Sequence, residues 1–313
     1  MPFKSSPQKF SASIKQVDIG TGDKKIVLGG ESVLPFYSFD GPVENLKKVG
    51  IEILDTGLET LSPELKEFYG NDADIAAIAK KAAGVEGADF LCLRFEGADP
   101  NGLNKSVEEC AETAKKVADA VDLPLVVYGS KNGEKDTALF GAIADALQGK
   151  NVLFMSAKEE NYKTLAASVG LAYGQKLGAE SAVDINLAKQ LNVLINQVGV
   201  SPESIVMNVG AATVGYGFEY VASTMQRIVM AALQQNDTMI QMPIITPVST
   251  ETWYVKESVM PEADQPEWGP AEERGVMNEI ATAAACLAAG SHAVILRHPT
   301  SVKTISNFIK ALA

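Results

Sequence analysis

The sequence predicts an α/β protein built as a single (β/α)8 TIM barrel with an N-terminal hairpin extension. Three observations carry that expectation. Eight short apolar runs recur along the chain, each is followed by a turn residue and a helical stretch, and the alternation continues to the end without a low-complexity linker. Near-continuous apolar runs suit strands buried on both faces, as parallel sheets require, with helices as crossovers. The chain has 313 residues, room for one such barrel of about 250 residues. Eight strand-helix units favour a closed barrel over an open doubly wound sheet.

Residues 1–25 read as an N-terminal arm and hairpin, and residues 26–313 as the barrel. FSASIKQVDIG, from Phe10, alternates apolar and polar residues before the turn-prone TGDKK. This is a hairpin pattern, expected to lie across the bottom of the barrel. The strand runs are KIVLGG from Lys25, DFLCLRFE from Asp89, PLVVYGS from Pro124, NVLFMSA from Asn151, SAVDI from Ser181, SIVMNVG from Ser204, MPIITPV from Met242 and HAVILRHP from His292; KKVGIEILD from Lys47 competes as a strand. Helix starts are signalled by Ser106–Glu109 and Ser156–Glu159, which match the capping box, and by Ser201-Pro202; Gly149 marks a helix end.

Two connections are longer than a compact barrel needs. One runs from Glu31 to Ala82, and the other, from Ser249 to Glu272, holds Trp253, Tyr254 and Trp268. Long loops in compact domains are usually functional or disordered. The second follows the seventh strand, so it rises from the C-terminal face, where barrel active sites sit.

Composition removes several function classes. The 27 Lys+Arg against 39 Asp+Glu give a net charge of −12, which opposes binding to nucleic acid or anionic membranes. Cys92, Cys110 and Cys286 are too few and too widely spaced for a disulfide framework or a four-cysteine cluster, so a cytoplasmic, reducing location is expected. No export signal is visible, and ATAAACLAAG at 281–290 is too short to span a bilayer. There is no GxGxxG after a strand and no GxSxG. GAATVGYG at 210–217 spaces its glycines like a phosphate loop but has Tyr216 where lysine is needed, and reads as a turn. His292 and His298 bracket one strand, about 20 Å apart at 3.3 Å per residue, too far to share a metal. Apart from Lys25 at the head of the first run, the predicted strands offer no lysine for Schiff-base chemistry, and no metal site is expected.

What remains are hydrogen-bonding residues at strand ends: Arg94, Glu96, Asp99, Asn101, Tyr128, Ser130, Ser156, Asp184, Asn186, Asn208, Thr246, Arg297 and His298. They suit a heterocycle with exocyclic amides or a ligand rimmed with carboxamides. The same Asp and Asn residues are equally suited to capping the helices that follow.

The runs SIVMNVGAATVGYGFEY, MPIITPVSTETWYVKESV, PEWGPAEERG and HAVILRHP, with the opening IKQVDIGTGDKKIVLGGESVLPFYSFDG, resemble the small subunit of the corrinoid/iron-sulfur protein of the Wood-Ljungdahl acetyl-CoA pathway. More distantly they resemble the delta subunit of archaeal acetyl-CoA decarbonylase/synthase. The resemblance spans essentially the whole chain and rests on no short catalytic motif. It implies a heterodimer with a large subunit that carries a [4Fe-4S] cluster and a corrinoid-binding domain, a cobamide being shared between the two. It further implies a cobalt-borne methyl group received from a methyltetrahydrofolate corrinoid methyltransferase and delivered to acetyl-CoA synthase.

On that resemblance the corrin-facing surface is expected at Thr213 and Tyr216 after the sixth strand, and at Thr246 and Trp253. Asp99, Asn101, Asn208 and His298 follow, and no catalytic acid or base is needed. PEADQPEWGPAEERG reads as a docking loop or as part of a lid. Two enzymatic alternatives stay open: a pterin-binding methyltransferase using Asp184, Asn186 and Asn208, and a metal-independent lyase using Glu96 and Asp99.

Overall fold

The structure is a computed structural model describing residues 6–71 and 73–313; Met1–Ser5 of the expected arm lie outside the described residues. The chain begins with an antiparallel hairpin, β1 (Val17–Ile19) and β2 (Ile26–Leu28), whose register pairs Val17 with Leu28. Eight parallel strands follow: β3 (Lys48–Leu54), β4 (Phe90–Arg94), β5 (Leu125–Tyr128), β6 (Leu153–Ala157), β7 (Lys176–Glu180), β8 (Ile205–Asn208), β9 (Ile245–Pro247) and β10 (Ala293–Leu296). Their order is β8-β7-β6-β5-β4-β3-β10-β9. A parallel bridge between Met207 and Ile244, with Met207 N–H donating to Pro243 O at 2.8 Å, joins the two ends into a barrel.

The helices are α1 (Pro63–Tyr69), α2 (Ile75–Ala83), α3 (Val107–Ala120), α4 (Gly133–Ala146), α5 (Tyr162–Leu165, continued by a π turn over Ala166–Leu171), α6 (Ile185–Val198), α7 (Phe218–Leu233), α8 (Ser249–Thr252), α9 (Lys256–Val259), α10 (Ala271–Ala289) and α11 (Pro299–Leu312). Local signals start several of them. Ser106 and Glu109 form the expected capping box on α3, and Asp184 caps α6 by accepting from Asn186 N and Leu187 N.

Two apolar layers result from strand alternation. One set of side chains, including Ile51, Leu91, Leu93, Val127 and Leu177, packs outward under the helices. The other, including Phe90, Cys92, Val126, Leu153, Met155, Val206 and Ile295, fills the barrel interior together with Val17, Ile19, Ile26 and Leu28 of the hairpin. The hairpin therefore stoppers the N-terminal end, as expected; Gly20 N–H donates to Asn151 O at the start of β6. Gly50 makes room for this layer, because a Cβ there would lie 2.1 Å from the Phe90 ring.

Four local expectations are corrected. KIVLGG does not open the barrel: Ile26–Leu28 is the second hairpin strand, and the competing run from Lys47 supplies the first barrel strand, so the Glu31–Ala82 excursion contains β3. SAVDI is not a strand, since Ala182 and Val183 adopt positive φ and Asp184 is a cap, while the preceding KLGAE is β7. Ser156 stays in β6 and starts no helix, α5 beginning after Asn161. Ser201-Pro202 opens only a 3-10 turn that leads into β8.

His292 lies at the bottom of the barrel, as expected of a structural residue. Its Nδ1 accepts from Ile244 N–H at 2.9 Å and its Nε2 meets Glu31 Oε1 at 2.9 Å, with Lys47 Nζ 3.9 Å from the same oxygen. Burial alone raises the Glu31 carboxyl, but the hydrogen bond from His292 Nε2–H and the charge of Lys47 oppose it and hold it below the usual carboxylate range. A depressed carboxylate contributes stability that is present above its unfolded value and lost as pH falls through the folded one. Wild type should therefore lose stability through this group as pH falls below the ordinary carboxylate value of 4.5. Urea titrations across that window should show a shallower acid slope for Glu31→Gln; identical slopes would remove Glu31 from the acid response.

Candidate functional site

Strand parity selects which residues at the C-terminal mouth face the interior. From the strands these are Glu52 of β3, Arg94 of β4, Tyr128 of β5, Glu180 of β7 and Asn208 of β8, joined by Arg297 just after β10. They divide into a charged half and a cleft.

In the charged half, Glu52 is 2% exposed and takes Arg297 Nε at 3.0 Å and Nη2 at 2.7 Å on Oε1, and Ser249 Oγ at 2.9 Å on Oε2. Burial pushes this carboxyl up, yet Arg297 and Arg94 outweigh it and hold it below the usual carboxylate range. Above the pair lies Tyr254, its ring 5.3 Å from the Arg94 guanidinium and 5.4 Å from that of Arg297. Its hydroxyl accepts from Arg94 Nη1 at 3.2 Å and donates to Glu96 Oε1 at 2.7 Å. Tyr254 thus closes the centre of the mouth with a cation–π and hydrogen-bond contact on each side.

The cleft, about 230 Å³, is walled by Tyr128, Glu180, Val183, Asn208, Thr250 and Glu251 among others. Lys158 pairs with Glu180 at 3.5 Å and Lys131 with Glu251 at 3.4 Å. Asn208 Nδ2 donates to Ser156 Oγ at 3.0 Å and Glu180 Oε2 at 3.3 Å, and its Oδ1 accepts from Gly210 N–H at 3.1 Å. Those three bonds fix the amide as part of the cleft wall.

The excursion after β9 covers the charged half and is hung on α10. Trp253, 8% exposed, donates from Nε1 to Glu279 Oε1 at 2.8 Å, and its ring closes onto Gly275, where a Cβ would lie 2.3 Å away. Glu279 also accepts from the backbone N–H of Arg297 at 2.7 Å and of His298 at 3.2 Å. Arg274 donates to Glu257 O at 2.6 Å, Met260 O at 2.5 Å and Gly269 O at 3.1 Å, tying down the rest of the excursion. Trp268 lies against the Arg274 and Lys256 cations, 5.6 and 6.0 Å from its ring.

The residues singled out in the sequence scatter around this mouth. Asn208 faces the interior. Trp253 is the buried lid anchor, and His298 stacks on it at 6.0 Å, accepts from Thr300 N–H at 3.2 Å on Nδ1 and meets Glu272 Oε1 at 2.9 Å on Nε2. Thr213 is buried, donating to Asn278 Oδ1 at 2.6 Å. Tyr216 is half exposed and donates to Glu257 at 2.5 Å, linking the loop after β8 to the lid. Thr246 lies on the helix-facing side of β9, 2.9 Å from Ser291 Oγ, because Ile245 and Pro247 occupy the inward positions. Asp99 caps its own loop through Asn101 N–H at 2.9 Å, and Asn101 is exposed. Asp184 and Asn186 are exposed at the start of α6, and Ser130 donates to Asp136 at 2.7 Å outside the ring. The sequence reading missed Glu52, Glu180 and Glu279. The first two fall on the unassigned strands, and the third lies in the middle of a helix with no pattern to single it out.

The model of the CO dehydrogenase/acetyl-CoA synthase delta subunit family matches residues 16–294. A delta subunit (delta 2) of the Methanosarcina acetivorans acetyl-CoA decarbonylase/synthase complex is 32% identical over 300 residues, covering 94% of this chain and 68% of that protein. The delta subunit of Archaeoglobus fulgidus is 30% identical over 322 residues, covering 99% and 71%. In fold, the chain superposes on Xanthomonas albilineans dihydropteroate synthase with a TM-score of 0.53 at 11% identity, covering 95% of this chain and 98% of that one. Yersinia pestis dihydropteroate synthase gives 0.55 at 13% identity, covering 85% and 93%. These two likenesses show the barrel alone, whereas the match over most of the length shows that the chain belongs to the delta-subunit family of the acetyl-CoA decarbonylase/synthase complex.

Proposed function

We propose that this chain is the small subunit of a heterodimeric corrinoid iron-sulfur methyl carrier, capping one face of a cobamide held mainly by a large subunit. That large subunit carries the [4Fe-4S] cluster, and the heterodimer exchanges a methyl group with a methyltetrahydrofolate corrinoid methyltransferase and with acetyl-CoA synthase. The observation that carries the reading is family membership across residues 16–294, combined with a mouth closed by its own lid.

The residues at the mouth fit a macrocycle laid across the barrel. Val214, Tyr216 and Tyr220 after β8 and Tyr254 and Val259 on the lid are exposed large side chains, 43–68% accessible, on two loops linked by the Tyr216–Glu257 bond. A cleft of about 230 Å³ is too small for the macrocycle itself and admits a side group. His292 is at the opposite end of the barrel, and both ring nitrogens of His298 are engaged by Glu272 and Thr300, so the groups that would hold a cobamide here are the exposed side chains of the two loops. Cys92, Cys110 and Cys286 are buried in β4, α3 and α10, and burial raises all three thiols. No group of three candidate metal ligands occurs among the described residues, and no helix there is long and apolar enough to cross a membrane.

When bound, a cobamide supplies a nucleophilic cobalt that accepts and donates a methyl group. The chain's own part is to exclude water with Tyr216, Tyr254 and Val259 while presenting hydrogen bonds at the rim. A lid hung on side-chain bonds to α10 is also a lid able to move aside for an in-line partner.

Co-expression with and without the large subunit, followed by anaerobic purification and visible spectroscopy, tests this. A stoichiometric corrinoid spectrum confined to the heterodimer is expected. A colourless chain that retains no corrinoid-carrying partner would overturn the carrier reading in favour of a pterin-binding enzyme, for which Asn208 faces the cleft while Asp184 is engaged as the cap of α6.

A further inference from the structure

The geometry points to Arg94 and Glu96 as a recognition site for an amide, a primary carboxamide or ring lactam, whose place the Tyr254 hydroxyl takes in the closed structure. Arg94 is 4% exposed, and its Nε has no hydrogen-bond partner; Glu96 Oε2 is likewise buried and unpartnered. Buried polar atoms are nearly always paired, and an orphaned carboxylate oxygen next to a guanidinium whose Nη1 is spent on a hydroxyl marks a place built for something else. Both residues converge on a single atom, the Tyr254 oxygen, which accepts from Arg94 Nη1 at 3.2 Å and donates to Glu96 Oε1 at 2.7 Å.

One hydroxyl does both jobs but has only one proton to give, so half of each residue's capacity goes unused. An amide separates the two functions. Its carbonyl oxygen has two lone pairs for the Nη donors of Arg94, and its nitrogen carries protons for the two Glu96 oxygens; Nε lies on the other edge of the guanidinium and stays outside the contact. A carboxylate ligand would be repelled by Glu96, and an ammonium by Arg94, which leaves a neutral group with an adjacent acceptor and donor. Access is provided locally: Tyr254 is 49% exposed, and the Arg94 guanidinium is 5.8 Å from the ring of Tyr128, a wall of the neighbouring cleft.

This inference rests on the carrier reading only for the source of the amide, a peripheral carboxamide of the corrin. The test titrates two probes, dicyanocobinamide for a corrin carboxamide and methyltetrahydrofolate for a ring lactam. Each is added to the full chain alone and to the chain co-purified with its large subunit. Wild type, Tyr254→Phe, Glu96→Gln and Arg94→Lys are compared after circular dichroism confirms folding. Tyr254→Phe keeps the ring but frees the site, so it should bind an amide probe about tenfold more tightly, the size of one charge-assisted hydrogen bond, while Glu96→Gln and Arg94→Lys should weaken it by a similar factor. That pattern with the corrin supports both readings. The pattern with methyltetrahydrofolate alone supports the amide site and overturns the corrin as its ligand. Corrin binding indifferent to all three substitutions overturns the amide site and leaves the carrier reading standing. Failure of both probes to bind either wild type or Tyr254→Phe also overturns it.

Discussion

Arg297→Met is expected to destabilise the protein by about 3–5 kcal/mol, the usual penalty for leaving one partner of a buried ion pair alone. The guanidinium contributes two hydrogen bonds to Glu52 Oε1, at 3.0 and 2.7 Å, and the carboxylate is 2% exposed. After substitution only Ser249 Oγ donates to it, at 2.9 Å, with Arg94 as the nearby charge. At roughly 2–4 °C per kcal/mol for a large domain, the melting temperature should fall by about 6–20 °C. The sign of the pH dependence separates this mechanism from lost packing. In wild type the Glu52 carboxyl is held low by Arg297 and Arg94 against the effect of burial, so its stabilising contribution is present above its unfolded value and lost at more acid pH. In the variant burial is less opposed and the carboxyl titrates higher, so the gap between the two proteins should narrow as pH falls, beginning above the ordinary carboxylate value where the variant's carboxyl takes up its proton. Adding Glu52→Gln should recover part of the loss, because the lone carboxylate is then gone while Arg94 keeps only Glu96 as a nearby anion. A gap that is constant with pH, or a double variant no better than the single one, would sink the account.

That ion pair also shows why part of the barrel was illegible in the sequence. β4, β5, β8 and β10 are continuous apolar runs and stand out. β3 carries Gly50 and Glu52 on its inward positions, the glycine to admit Phe90 and the glutamate to meet a residue 245 positions away. Local periodicity contains neither reason. β7, KLGAE, has too few β-branched residues to compete with the neighbouring SAVDI, whose Ala182 and Val183 take a backbone conformation no strand uses. The hairpin stopper was legible from alternation before a turn, although its second strand was assigned to the barrel. At the mouth, Arg94, Tyr128, Asn208 and Arg297 could be placed from their strand ends alone. Thr246 could not, because a one-residue change of parity moves a side chain from the interior to the helix face. Thr213 and Trp253 lie on the expected loops, but their hydrogen bonds to Asn278 and Glu279 fasten them to α10, Thr213 holding the loop after β8 and Trp253 the lid.

The fastening makes Glu279→Ala the second large effect. Glu279 is fully buried in α10, and burial raises its carboxyl despite the backbone N–H of Arg297, the Trp253 indole and the other donors it accepts from. Removing it orphans three donors at once: Trp253 Nε1, Arg297 N and His298 N. Each unsatisfied buried donor costs about 1–3 kcal/mol, so a loss of roughly 3–5 kcal/mol is expected after allowing for the relief of removing a costly buried carboxylate. Two of the donors belong to the barrel's last strand end and one to the lid, and the lid has the cheaper escape. By swinging out, Trp253 recovers its hydrogen bond from water at the cost of its packing on Gly275 and His298. The damage should therefore appear first as local opening. In a Trp268→Phe background, Trp253 emission should shift to the red, and residues 255–270 should become the first site of limited proteolysis well below the melting temperature. Glu279→Gln, which keeps one acceptor oxygen, should fall between wild type and alanine on both measures. A variant that melts early with unchanged Trp253 emission and an uncut lid would mean that Glu279 supports only the barrel, and that the lid is held by Arg274 and the Tyr254 contacts instead.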